Sequence, residues 1–164
     1  MTSTSAPAPP VPLRAAGPAP TWVLWATLPL ALLGLAASTY LTITHFDPKA
    51  LHCTANGVFN CQAVTTSGAS RFLGIPVAFL GLVQYVVMTA LCTPWAWRAR
   101  RREVHLARLV VASVGMAFVL WLLVAELLIV GHICEYCTSV HVVTFALFVC
   151  VVTTVPSMLG WNER

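Results

Sequence analysis

The sequence predicts an all-α membrane protein, a four-transmembrane-helix bundle with an outer loop or short helix between helices one and two. Hydrophobic residues make up 59% of the chain and charged residues only 9%, against about 45–50% and about 25% in soluble domains. Four long stretches contain no Asp, Glu, Lys or Arg: residues 15–46, 72–97, 109–125 and 136–162. Because about 20 apolar residues cross the hydrocarbon core of a bilayer, each stretch predicts a membrane helix.

The element boundaries follow from these stretches. Residues 1–20 are rich in Pro and Ala, which predicts a disordered cytoplasmic tail because proline denies helix hydrogen bonds. The apolar run after this tail is too long for the ~7–15-residue core of a signal peptide, so the first helix is expected there. The predicted helices cover residues 22–44, 74–91, 106–130 and 134–155. The membrane domain spans residues 21–156, and a short cytoplasmic tail, residues 157–164, follows it.

The basic residues predict the orientation of the bundle. Four spans place both termini on one side, together with seven of the nine basic residues, namely Arg14, Arg98, Arg100, Arg101, Arg102, Arg108 and Arg164. Trp22, Trp25, Trp95, Trp97 and Trp161 fall at the helix ends on the same side. The positive-inside rule and the preference of tryptophan for the headgroup layer make this side cytoplasmic. Next to a membrane helix, an arginine cluster usually marks the cytoplasmic side. We therefore expect the lipid bilayer, and no nucleic acid, as a partner of this region.

The predicted topology gathers four of the six cysteines at the outer face of the membrane. Cys53 and Cys61 lie in the first outer loop, and Cys134 and Cys137 open the fourth helix at its outer end. Disulfides persist in the outer compartment, so these pairs are not expected to be idle thiols. The remaining two, Cys92 and Cys150, are predicted to be small apolar packing residues.

The spacing of each pair favours thiol–disulfide exchange. Only two residues separate Cys134 from Cys137 at a helix start, where unpaired backbone N–H groups and the helix dipole favour a thiolate. A bridge between Cys53 and Cys61 would close a short loop and stabilise the fold by roughly 2–3 kcal/mol, little enough to be opened and remade. Two static disulfides or a zinc staple are the structural alternatives. Because seven residues between ligands are not typical of zinc sites, no metal site is predicted.

At these residues the sequence resembles the vitamin K epoxide reductase family of quinone-coupled membrane thiol oxidoreductases, over roughly residues 22–155. The matching positions, in order, are Cys53, Cys61, Ser67, residues 74–76, Gly81, Tyr85, Cys134 and Cys137. The resemblance implies an electron relay. A reduced thioredoxin-fold protein attacks at Cys53, Cys61 exchanges with Cys134, and Cys137 delivers the electrons to a quinone.

The resemblance also implies the cellular role. The expected function is reoxidation of an extracytoplasmic DsbA-like protein acting in trans, with electrons passed to ubiquinone, menaquinone or phylloquinone in support of disulfide bond formation. Reduction of vitamin K or its epoxide for another enzyme would use the same residues. From a different class, the chain could be a scaffold or transporter with structural disulfides. The short chain without a fused domain favours the bacterial plasma membrane, although an endoplasmic reticulum membrane satisfies the same topology.

Four further residues are predicted to contact the quinone. Ser67 matches a family serine that would donate a hydrogen bond to a quinone carbonyl, and capping a short helix is its alternative role. Glu126 lies within the third helix, where an acid usually faces the bundle interior. His141 lies one turn after Cys137 on the same helix face, where vertebrate members carry tyrosine, and its alternative role is that of a packed helix histidine with a partner. Tyr85 is expected to pack or to line the pocket. For Glu126 the alternative is a protonated structural partner of a helix backbone or of Tyr85.

The other histidines receive weaker predictions. His52 and His132 are close in sequence to Cys53 and Cys134, and a cationic neighbour favours a thiolate. Exposed loop histidines are common, so neither is predicted to be essential. His45 and His105 are expected to be ordinary residues of the membrane interface.

Overall fold

The structure, a computed structural model, describes residues 18–50, 52 and 59–161. Cys53 and nearly all of the predicted N-terminal tail therefore lie outside the described residues, as do residues 162–164. The chain is mostly helical. Its α-helices are α1 (Thr21–Phe46), α2 (Cys61–Thr66), α3 (Val77–Leu91), α4 (Pro94–Arg98), α5 (Arg102–Val124) and α6 (Glu135–Met158), and a π-helical segment, Ala125–Val130, continues α5.

Four of these helices form the bundle. α1 packs against α3 and α6, and α5 packs against the same two helices, so the four close into a ring. Among the described residues, three helical stretches are long and apolar enough to cross a membrane: Thr21–Phe46, Arg102–Val130 and Glu135–Met158. α3 is apolar but has only 15 residues. The structure thus confirms a helical membrane bundle, and the number of spans stays a prediction.

α3 begins three residues later than the sequence predicts. Arg71–Phe72 and Ile75–Pro76 pair as a small antiparallel hairpin, and α3 starts only at Val77. The two turn residues, Leu73 and Gly74, have φ angles of 51° and 84°. Positive φ at both central residues is the geometry of a tight hairpin turn, which Gly74 adopts without steric cost. Residues 74–76 therefore form a turn and strand before the helix.

The end of α5 departs from regular α-helix at the position of an acidic residue. The segment Ala125–Val130 is π-helical and stops at Gly131, whose φ is 70°. A π-helical turn inserts one extra residue, which changes the direction in which the following side chains project. Glu126 lies in this segment and is buried. Residues 131–134 then connect directly to α6.

The opposite end of the bundle contains a buried polar cluster that the sequence does not predict. Arg108, counted among the cytoplasmic basic residues, and Trp97, expected in the headgroup layer, are both fully buried, with the guanidinium 3.5 Å from the centroid of the indole ring. Arg108 also donates hydrogen bonds to the Leu91 carbonyl at 3.0 and 2.6 Å. His105, expected at the interface, is buried and contacts Arg108 Nη1 through Nδ1 at 2.8 Å. These residues cap the end of α3, whose last carbonyl groups lack helical partners.

Candidate functional site

Cys134 and Cys137 open α6, as the spacing predicts, and we call the end of the bundle where they and Cys61 lie the cysteine end. Cys134 is the N-cap residue, and its sulfur accepts a hydrogen bond from the Cys137 backbone N–H at 3.3 Å. Both cysteines are free thiols, and Cys134 is fully buried. The hydrogen bond from the Cys137 side chain, aided by backbone N–H groups, outweighs burial and lowers the pKa of the Cys134 thiol. Cys134 is thus the better prepared nucleophile of the pair.

The structure brings Cys61 close to this thiol pair. Cys61 begins α2, is disulfide-bonded, and packs in a small buried cluster with Leu41, Val64 and Cys134. α2 starts there because Asn60 caps it, accepting a hydrogen bond from the Ala63 N–H at 3.0 Å. The chain before α2 is joined to the chain before Cys134, since the Asn60 N–H donates to the Ile133 carbonyl at 3.1 Å. Three of the four predicted catalytic cysteines therefore lie at one end of the bundle.

A cavity of about 110 Å³ opens beside Cys137 within the bundle. One water needs only about 10–15 Å³ of such space, so the cavity accommodates an organic ring rather than a single water. Its wall is mostly aliphatic and aromatic. The polar or ionisable residues that line it are Ser38, His45, Thr65, Ser67, Ser70, Glu126, Cys137 and His141.

Glu126 and His141 lie in the cavity wall on different helices. Glu126 is 5% exposed, and its carboxyl group lies near enough to the Cys137 thiol to interact with it. His141 is 6% exposed, and its Nδ1 atom has no hydrogen-bond partner among the described residues. A buried nitrogen without a partner costs free energy unless a ligand or water supplies one. The cavity thus fits a ring with carbonyl oxygens, for which His141 has an unused hydrogen-bonding atom.

Ser67 and His45 also line the cavity, and the sequence predicts a quinone contact for Ser67 alone. Ser67 lines the cavity as predicted, but its Oγ donates to the Val64 carbonyl at 2.8 Å, so the hydroxyl caps α2 as well. His45 also lines the cavity, although the sequence placed it at the membrane interface. The sequence around His45, in the last turn of α1, does not indicate a place in the cavity, because the other residues that line the cavity are far from it in the chain.

Tyr85 lies outside this cavity. Its hydroxyl donates to the Val140 carbonyl at 3.1 Å and contacts Thr144 Oγ1 at 2.8 Å, so its bonds go to α6 and not to Glu126. Its ring packs directly over Gly34, where a β-carbon would collide with it. Tyr85 thereby fixes α6 at Val140 and Thr144, on either side of His141 along the chain. Cys92 and Cys150, also free thiols, lie along α3 and α6 away from the cysteine end.

These features define a class of protein: a helical membrane bundle with a cysteine pair at a helix start, next to a cavity within the bundle. The model of the vitamin K epoxide reductase family matches residues 25–152, so the chain belongs to this family. Family membership makes the protein an oxidoreductase, and the activity of the family is in general quinone-linked thiol oxidoreduction. Family members generally work with a quinone and a redox partner protein.

Proposed function

We propose that the protein reoxidises an extracytoplasmic DsbA-like protein and passes the electrons through two cysteine pairs to a membrane quinone, in support of disulfide bond formation. One observation supports this most directly. Cys134 packs against Cys61, while Cys137 lines the cavity with Glu126 and His141. The Cys134–Cys137 pair at the start of α6 therefore lies between Cys61 and the cavity proposed to hold the quinone ring.

The relay consists of balanced thiol–disulfide exchanges. The thiolate of the reduced partner attacks the Cys53–Cys61 disulfide at Cys53, which releases the Cys61 thiolate. Cys61 then attacks the disulfide of the α6 pair at Cys134, which releases Cys137 as the leaving thiolate. Resolution by the second partner thiol and by Cys53 leaves an oxidised partner, an intact Cys53–Cys61 disulfide and a reduced Cys134–Cys137 pair.

The cavity residues serve the second half of the reaction. The quinone, when bound, accepts the two electrons and two protons that the dithiol gives up as its disulfide is remade. Glu126 touches the Cys137 thiol and is placed to take and pass on its proton. His141 presents Nδ1 for a carbonyl oxygen, and Ser67 contributes at the opposite wall after its hydroxyl turns from Val64. Tyr85 supports the site by holding α6.

The proposed topology places the cysteine pairs on the side of the membrane where the partner protein is found. Four spans, with α3 as the shortest, place both termini in the cytoplasm and both cysteine pairs on the extracytoplasmic face of a bacterial plasma membrane. A quinone dissolves in the bilayer and a protein thiol does not, so electrons have to pass between the two phases. The start of α6 at the cysteine end is the natural place for that transfer.

The test is quinone reduction by the purified protein in nanodiscs, with a short-chain ubiquinone and a short-chain menaquinone as acceptors. Electrons come either from a reduced DsbA-like protein or from dithiothreitol. Cys137→Ala is expected to abolish reduction with both donors. Cys53→Ala is expected to abolish it with the protein donor and to retain it with dithiothreitol, which reaches the α6 pair directly.

Cys92→Ala and Cys150→Ala are the matched controls, because both remove free thiols away from the cysteine end. Both are expected to keep wild-type rates with either donor. Quinone that stays oxidised with both donors would refute the proposal and leave the cysteines with a structural role. Reduction of a vitamin K epoxide at a rate above quinone reduction would instead assign the protein to the other activity of this site.

A further inference from the structure

Two tyrosine hydroxyls hold the backbone of a single outer-loop residue, His52. Tyr40 of α1 accepts a hydrogen bond from the His52 N–H at 3.1 Å and donates to the Ala50 carbonyl at 3.1 Å. Tyr136 of α6 donates to the His52 carbonyl at 2.9 Å. The two rings contact each other with centroids 4.9 Å apart. We name this arrangement of Tyr40, Tyr136 and His52 the tyrosine clasp.

The clasp joins two chemically important places in the chain. His52 directly precedes Cys53, and Tyr136 is the residue directly before Cys137. On the far side of the loop, Phe59 forms a β-bridge with Ile133, the residue before Cys134. The loop is therefore attached to the α6 cysteine pair on both flanks, through Tyr136 on one side and through Ile133 on the other.

We propose that Tyr40 and Tyr136 are positioning residues that hold the chain at His52 against the start of α6 and so accelerate exchange between Cys61 and Cys134. This inference rests on the proposed function, since it concerns the internal step of that relay. The clasp takes no part in bond making. Cys61 forms a bond to Cys134, and the Cys134–Cys137 bond breaks with Cys137 leaving, as before.

The physical reason is effective concentration. Exchange between two cysteine pairs in one chain is intramolecular, and its rate rises with the fraction of time in which the sulfurs are aligned. Losing one hydrogen bond of ordinary strength changes such a population roughly two- to tenfold. The Phe59–Ile133 bridge remains in the absence of the clasp, so the loop stays attached at one flank and exchange is slowed, not abolished.

The experiment measures the internal step without a quinone or a protein partner. In a Cys53→Ala/Cys137→Ala background, Cys61 and Cys134 are left as thiols at the cysteine end. The rate at which diamide links them is followed on non-reducing gels. Tyr136→Phe and Tyr40→Phe each remove a hydroxyl and keep the ring contact. Ser139→Ala and Thr39→Val are matched controls, because their hydroxyls, within the described part of the chain, donate to carbonyl groups of their own helices.

The clasp variants are expected to slow formation of the Cys61–Cys134 crosslink roughly two- to tenfold, with the controls at the parent rate and thermal midpoints unchanged. In the otherwise native chain they are expected to slow turnover with the protein donor and to leave dithiothreitol-driven turnover unchanged. Crosslinking at the parent rate in both clasp variants would overturn the inference, as would an equal loss with dithiothreitol. Absence of quinone reduction in the wild type would refute the proposed function alone, because the crosslinking rates still decide the role of the clasp.

Discussion

Arg108 is a charged residue that the fold buries completely, and replacing it is expected to have a large effect on stability. It is completely buried, yet its contacts among the described residues are a carbonyl, an imidazole and an indole, with no carboxylate. Arg108→Ala removes the donors that satisfy Leu91 O and His105 Nδ1. We expect this change to weaken the end of the bundle where α3, α4 and α5 meet.

The magnitude follows from the contacts. Each buried acceptor left without a partner costs about 1–3 kcal/mol, and a desolvated cation–π contact contributes about 2 kcal/mol. Release of the guanidinium from its buried site offsets part of the sum, because taking a charge out of water is costly. We expect a net loss of about 3–5 kcal/mol in the free energy of unfolding. Arg108→Met restores volume without donors, so it is expected to recover only a small part of that loss.

The assay is thermal unfolding in detergent with a thiol-reactive fluorophore. Cys134, Cys137 and Cys150 are replaced by Ala in every variant compared, so that the signal reports exposure of the fully buried Cys92. Arg100→Ala is the control, since it removes an exposed arginine from the same basic stretch. The midpoint of Arg108→Ala should fall well below that of Arg100→Ala. Equal midpoints for the two would refute the reasoning, and full recovery by Arg108→Met would show that packing, not hydrogen bonding, is the main contribution.

Three further predictions concern packing and chemistry. Gly34→Ala is expected to cost about 1–3 kcal/mol because its β-carbon would collide with Tyr85, whereas Gly81→Ala is expected to be neutral or to stabilise by up to ~1 kcal/mol, and the same unfolding assay compares them. The pKa of the Cys134 thiol is lowered, so the pH at which its alkylation rate is half-maximal should lie below the ordinary thiol pKa of ~8.5. Cys137→Ala removes the hydrogen bond that lowers this pKa and should move the half-maximal pH upward. Mass spectrometry of Cys134 in both proteins across pH measures this, and coincident curves would contradict it. His141→Leu should raise the KM for quinone roughly two- to tenfold with dithiothreitol as donor, and an unchanged KM would remove His141 from the binding site.

Much of the fold could be predicted because membrane helices leave a strong one-dimensional signal. Stretches without charge locate the bundle helices to within a few residues, and Gly131 marks a helix end. The uncharged stretch alone places the start of α3 three residues too early, although Gly74 and Pro76 are typical of a turn and a helix start and signal the later start. The π-helical segment could not be predicted either. It is apolar apart from Glu126, so its sequence has no pattern of polar and apolar residues that distinguishes a π-helical turn from an α-helical one.

The candidate site was predictable where spacing encodes chemistry and unpredictable where tertiary packing does. The Cys134–Cys137 spacing and the acidic residue Glu126 within an apolar stretch can be recognised in the sequence. His45, the clasp tyrosines and the burial of Arg108 depend on contacts between segments far apart in the chain. An arginine next to a membrane helix has the same sequence signature whether it faces the headgroups or, as Arg108 does, the Trp97 ring.

The two ends of the bundle are packed differently, and the difference suits a relay of exchanges. The larger buried cluster includes Val23, Met88, Trp97 and Val151 and joins the long helices. Among the residues that the structure describes, Cys61 and Cys134 share a cluster with Leu41 and Val64 as the further buried members. Thiol–disulfide exchange requires sulfur atoms to move between partners, and regions with few buried contacts open at lower free energy than the rest of a fold. The large cluster can therefore keep the helices in place while the cysteine end changes its bonds. On this argument, Arg108→Ala lowers the unfolding midpoint and leaves the Cys61–Cys134 crosslinking rate unchanged below that midpoint, while Tyr136→Phe does the reverse.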